Sequence, residues 1–185
     1  MADFYDQLND ELTAFIGAQS MFFVATAAPS GRINLSPKGL DTFCVLDPKT
    51  CAYLDLTGSG NETAAHIKHD GRMTIMFNSF DKKPLILRLY GNGRVAGKET
   101  ADFKANIDRF PETPGVRQII FIDVETVQTS CGYAVPEMTL VKPRPVLERW
   151  ATAKGPTGIV DYQRENNLTS IDGLDTGLSP QLSDD

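Results

Sequence analysis

The apolar and polar positions keep one period over the first residues and then change to another. Phe4, Leu8, Leu12, Phe15 and Ile16 recur at helical spacing, Asp3 stands ready to cap and Gly17 to stop, so the pattern predicts an amphipathic helix over residues 3–17. Beyond it the runs shorten. Residues 20–28 (SMFFVATAA), 32–36 (RINLS), 42–46 (TFCVL) and 51–56 (CAYLDL) predict strands, separated by turns at Pro29-Ser30-Gly31, Pro37-Lys38-Gly39 and Asp47-Pro48-Lys49. Ser59 and Glu62 then form a capping box for a helix that reaches His69 and stops at Gly71. Strands follow over 72–79, 85–96 and 117–129, with an acidic helix over 99–110. Short strands joined by brief turns, with only two helices among them, predict a mainly β fold with flanking helices. A small antiparallel barrel suits that pattern better than a doubly wound sheet.

From Gly132 the chain is rich in proline, then weakly helical over 146–153 and 158–166, and ends in a polar Gly/Ser/Asp-rich stretch over 170–185. Because this tail carries Trp150, Tyr162, Leu168 and Ile171, it is expected to pack on the barrel or across a subunit interface.

With 185 residues the chain is the size of one domain and buries about 70% of its unfolded surface, enough for a core without staples. Its 18 basic against 24 acidic residues give a net charge of −6 without a basic stripe, which argues against nucleic acid. No run approaches the ~18 apolar residues of a membrane helix, and the acidic start Met-Ala-Asp-Phe-Tyr-Asp lacks a signal-peptide layout. A cytoplasmic protein without membrane partners is expected. Cys44, Cys51 and Cys131 are odd in number and form no C-x-x-C pair, so they predict buried, inert thiols rather than disulfides or a zinc site.

The segment Leu56-Thr57-Gly58-Ser59-Gly60-Asn61-Glu62-Thr63 delivers a strand into two glycines and then opens a helix. That geometry is either an anion site made by free N–H groups and the helix dipole, or an ordinary capped helix start. Glu62 suits a crowded anion only if its carboxylate turns back to cap the helix. Two cations are candidates to complete the site. Lys38 follows a strand, and Arg88 interrupts Leu85-Ile86-Leu87-Arg88-Leu89-Tyr90. A guanidinium on that half-apolar face either meets a carboxylate or phosphate or snorkels to water at the barrel end. His66 and His69 lack a third ligand at matching spacing and are expected on the surface, complementing the helix dipole. The Gly91-Asn92-Gly93 stretch continues as strand and so fails the requirement of a dinucleotide turn. Asp47, Asp55, Asp123 and Glu125 supply acids that nothing in sequence pairs across space, and no nucleophile elbow occurs, so no catalytic side chain is assigned.

In order, the segments FFVATAAPSGRINLSPKG (22–39), LDLTGSGNETAAHI (54–67) and RMTIMFNSFDKKPLILRLYGNGRV (72–95) resemble the pyridoxamine 5′-phosphate oxidase-like, FMN-binding split-barrel family. The likeness covers roughly residues 15–130 in layout. It implies a six-stranded antiparallel split barrel that forms a homodimer with two FMN sites along the interface. It also implies that Asn34, Leu35, Ser36 and Lys38 hold the flavin, with Thr57 and Asn61, Glu62 and Thr63 near the phosphate; Arg88 is added from the strand pattern alone. The expected organisation is an FMN-binding domain over 1–131, an extension over 132–174 and a flexible tail over 175–185.

The resemblance has departures. True oxidases carry Ser-Arg-Lys where this chain has Asn61-Glu62-Thr63, and PRPVLERW (143–150) only faintly echoes their Arg- and Trp-rich substrate signature. With TSCGYAVP (129–136) and NNLTSIDGL (166–174), the tail is similar to a branch apart from the vitamin B6 oxidases. The resemblance implies an FMN-dependent oxidoreductase acting on a small-molecule substrate. The alternatives are a non-catalytic flavin or haem binder on the same barrel, or a ligand-free interaction protein. The deazaflavin F420, with its acidic tail, fits the acidic turn less well than FMN.

Overall fold

The computed structural model describes residues 2–178. Eight strands form one antiparallel sheet: β1 (Ala2–Tyr5), β2 (Phe22–Ala27), β3 (Ile33–Lys38), β4 (Phe43–Asp47), β5 (Thr50–Leu56), β6 (Arg72–Asn78), β7 (Ile86–Gly97) and β8 (Val116–Ser130). Their order is β3-β2-β6-β7-β8-β5-β4, with β1 added to the far end of β8. The mainly β architecture with flanking helices is therefore as expected, whereas the count among the described residues is eight strands rather than six.

Seven strands side by side would span about 29 Å if flat. Yet Phe22, near one end of that order, lies 5.1 Å from Phe43 at the other, ring centre to ring centre. The sheet has curled until its ends meet over a shared core. That core holds Val24, Tyr53, Ile75, Phe77, Leu87, Leu89, Ile120 and Ile122.

Both faces of β5 and β8 are buried. Cys51, Tyr53, Ile120 and Ile122 point into the barrel, while Ala52, Leu54, Ile119 and Phe121 enter a second cluster with Phe103 and Phe110. A strand covered on both sides reads as a continuous apolar run instead of an alternating one, which explains CAYL and IIFI. Phe103 lies in α3 (Ala101–Asn106); with the 3-10 turn Ile107–Arg109, this element covers the outer face where the longer 99–110 helix was expected.

The expected helix over 3–17 is corrected at its start. Residues 2–5 pair with Val127–Ser130 as β1, and α1 is only Asp10–Gly17, capped by Asn9 rather than Asp3. The long β8 offers unpaired backbone at that end, and β1 satisfies it. Leu8, Leu12 and Ile16 still reach the core. Pro37 lies inside β3 instead of in a turn, on an edge strand where its missing N–H costs no ladder bond. Gly91 sits at a bulge between β7 and β8, where a Cβ would come 2.0 Å from the Asp123 carbonyl oxygen. Close backbone approach explains this glycine, and a Cβ on Gly93 would likewise run into the Ile67 side chain.

The α2 helix (Glu62–His69) follows β5. In the tail, α4 (Val146–Asn166) is two helices joined across a kink at Gly155, where φ is +67°. Trp150 and Tyr162 meet edge to face across that kink at 4.9 Å. Residues 175–178, expected to begin the loose end, are held: Thr176 bonds the Asn167 carbonyl and Leu178 is 1% exposed. The rest of that expected tail, 179–185, lies outside the described residues. Among those described, no helix is long and apolar enough to cross a membrane. Cys51 is buried, which pushes its thiol up to about 12 with help from Asp47 and Cys44; Cys131, expected buried, is exposed.

Candidate functional site

Alternation along β3 turns Asn34, Ser36 and Lys38 to one face and Ile33, Leu35 and Pro37 to the other. The first three line a cavity of about 320 Å³, with Asp55, Gly58–Thr63 and Arg117 forming its other wall. Lys38, Asn61, Glu62 and Thr63 thus converge as the sequence suggested. Leu35 does not join them and is 65% exposed. Thr57 lies buried beneath the turn, where its hydroxyl accepts a 2.6 Å bond from Gln163. Arg88 also lies outside this lining; its guanidinium donates to the Ser130 hydroxyl at 3.2 Å.

Asp55 is the electrostatic centre. Its Oδ2 accepts from Arg117 Nε and Nη2, at 3.0 and 2.8 Å, and from Gln118 Nε2 at 2.9 Å; Lys38 Nζ approaches Oδ1 at 3.3 Å. Burial alone would raise this carboxyl's pKa. The Arg117 charge, then Lys38, and the bonds from Arg117 and Gln118 outweigh burial and hold it below the ordinary carboxylate range. Burial, assisted by Asp55, pushes the Tyr53 phenol well above its usual value.

The same network shapes the turn. Arg117 Nη1 donates to the Gly60 carbonyl at 2.9 Å and to Asn167 Oδ1 at 2.8 Å, while Asn167 Nδ2 donates to the Gly58 carbonyl at 3.0 Å. Two carbonyls are thereby tied back to the scaffold. Asn61 starts α2 without capping it, because its Oδ1 accepts from Gln118 and its amide reaches the Asn167 carbonyl. The first N–H groups of α2 therefore have no side-chain cap, the condition under which a helix start attracts an acceptor. The expected Ser59–Glu62 capping box does not form. Glu62 Oε1 instead accepts the N–H of Ile171 in the tail, at 3.0 Å.

A second network fixes the β3 side. Asn34 Nδ2 donates to both Thr26 and Thr63 hydroxyls at 3.1 Å, and Asn34 Oδ1 accepts from Ser36 at 2.9 Å. Thr26 also meets His66 Nδ1 at 3.1 Å. The surface placement expected for the histidines holds for His69 but fails for His66, which is 1% exposed. The short α2 lies on the sheet and turns that side chain inward beneath β2. Among the described residues, no group of three His, Cys, Asp or Glu side chains is arranged to hold a metal.

Sequence reasoning missed Arg117, Gln118, Gln163 and Asn167, and left Asp55 unpaired. A signal existed for part of this. Asp55 and Gln118 are direct cross-strand partners, so pairing β5 with β8 brings the polar head of one apolar run onto the lone acid of the other. The stretch NNLTSIDGL stood out only for its family likeness, and nothing in it tied Asn167 to Arg117, 50 residues away.

Comparisons with known proteins agree with this architecture. Residues 8–131 match the family described as pyridoxamine 5′-phosphate oxidase. The whole chain aligns with 81% of the pyridoxamine 5′-phosphate oxidase family protein ustO of Aspergillus flavus, at 39% identity. In fold it is similar to HupZ of Group A Streptococcus (TM-score 0.53, 24% identity, 65% of this chain and 91% of HupZ). It is also similar to an FAD-binding protein of Mesorhizobium loti (TM-score 0.50, 12% identity, 70% of this chain and 99% of that one). On the strength of the match over 8–131 and the full-length relative, the chain belongs to the pyridoxamine 5′-phosphate oxidase family.

Proposed function

We propose that this protein binds a flavin, FMN, in the cavity between β3 and the 58–63 turn, and that it acts as a homodimeric oxidoreductase on a small molecule. The observation that carries this reading is the convergence of Asn34, Ser36 and Lys38 with an uncapped helix start on one polar cavity. Such a wall suits the polar half of a flavin nucleotide, whose hydroxyl and phosphate oxygens need donors. The family's description and the fold shared with an FAD-binding protein support a flavin as the ligand class.

When bound, FMN would supply the electron or hydride transfer. The protein's own residues bind and orient. Lys38 contributes a cation on the cavity wall, and Asn34, with both amide hydrogens committed, presents a fixed polarity to its neighbours. Arg117 and Asn167 hold the turn in shape from behind. No residue is assigned to move a proton, which fits chemistry carried by the cofactor. The substrate proposed is not pyridoxamine 5′-phosphate, because PRPVLERW lacks the Arg- and Trp-rich pattern of the true oxidases.

Lys38→Ala tests the cavity. Arg117 keeps Asp55 paired, so the fold should persist. Titration by flavin fluorescence should show FMN affinity falling about tenfold or more, the scale of a lost charge-assisted bond. Unchanged affinity would remove Lys38 from the site and this cavity from the reading.

A further inference from the structure

We infer that Glu62 restrains the cavity's preference for a phosphorylated ligand, so that a flavin ending in an uncharged polyol is accepted about as well as its phosphate monoester. This rests on the flavin reading above and names the ligand class that the same site admits.

Glu62 lines the cavity at the first position of α2. One carboxylate oxygen is tied to the Ile171 N–H, and the other, Oε2, has no hydrogen-bond partner among the described residues and is sealed from solvent. An acid there complements the helix dipole and so takes up part of the positive end that would otherwise draw a phosphate. Among the described residues, the neighbouring cations are already engaged with other acids. Lys38 and Arg117 both pair with Asp55, while Arg32 pairs with Asp172 and Lys68 with Asp175. Two cations on the lining, Lys38 and Arg117, thus face two carboxylates, Asp55 and Glu62, and the lining carries no excess of positive charge. A phosphate monoester brings about −1.5 to −2 charges at neutral pH. It gains from the uncapped N–H groups but is repelled by a carboxylate whose field is poorly screened. A hydroxyl-ended side chain meets the same donors without that repulsion.

The carboxylate is also held in place. Ile171 belongs to the tail segment fastened by Asn167 on one side and by the Arg32–Asp172 pair on the other, so the tail keeps Glu62 at the wall.

The test is a fluorescence titration of the full chain and of Glu62→Gln with FMN and with riboflavin. Glutamine keeps an acceptor for the Ile171 N–H and removes the charge. The wild-type protein should bind the two flavins within about tenfold of each other; in the variant the ratio of affinities should move about tenfold toward FMN. A wild-type preference for FMN above about a hundredfold would overturn the inference, and so would a variant whose ratio stays within about twofold of the wild type's. The wild-type ratio needs no variant, so failure of Glu62→Gln to fold would leave that arm decisive. Binding of neither flavin would overturn the flavin reading itself and this inference with it, a result distinct from tight binding with the wrong ratio.

Discussion

Asp55 and Arg117 are 2% and 4% exposed, and each is costly to bury alone. Removing one member of such a pair strands the other. Arg117→Met, which also frees the Gly60 carbonyl and Asn167, is expected to destabilise the fold by about 3–5 kcal/mol, read as a lower urea midpoint. The pair also sets a pH dependence. Asp55 has a folded pKa below its unfolded one, so its contribution is complete above the ordinary carboxylate value of about 4 and is lost as pH falls through the depressed folded value. Denaturant titrations should show stability dropping from about pH 4 downward, with a shallower drop in the Arg117 variant. A drop of equal depth in both proteins would place the acid sensitivity elsewhere. At this scale the sequence offered Lys38 and the turn through their local setting. It could not offer Arg117, because an arginine at the head of an apolar strand looks the same whether it meets water or a buried carboxylate.

The elements were legible where one local force decides them. Short strand-forming runs set off by turn signals marked β2, β3, β4 and β5, and longer ones marked β6, β7 and β8; that β5 and β8 are covered on both sides emerged only with the helix packed on their outer face. Boundaries failed where a distant partner decides. Residues 2–5 follow the backbone need of β8, 120 and more positions away, against the helical spacing of Phe4 and Leu8. His66 is buried because α2 lies against the sheet, which its position near a helix end does not reveal. The tail illustrates the same limit. Its weak helices read as such, but its role of gripping the turn depends on Gln163 and Asn167 meeting Thr57 and Gly58. Asn167→Ala removes a fully buried side chain that donates to the Gly58 carbonyl and accepts from Arg117. A loss of about 1–3 kcal/mol in thermal unfolding is expected, accompanied by weaker FMN binding. Stability lost with FMN affinity intact would show that the tail supports the fold without shaping the site.

Across the whole molecule, curling of one antiparallel sheet produces the site. It brings β3, at one end of the strand order, against β5 near the other, so that Lys38 and Asp55 meet although they belong to opposite ends of the sheet. The tail then closes the back of the turn. Fold class and family were readable because the order of strands, turns and helices is imprinted along the chain. The eighth strand and the charge balance of the cavity were not, since both arise only when distant segments meet. The proposed dimer and substrate belong to this scale too, and the proposed reaction depends on a flavin being present. The most direct measurement is therefore the visible spectrum of the purified full chain, as isolated and after incubation with FMN and desalting. Retained flavin bands at about one per subunit are predicted, as expected if the cavity between β3 and the 58–63 turn takes one flavin in each chain. A colourless protein that releases all added FMN would contradict the proposed flavin site.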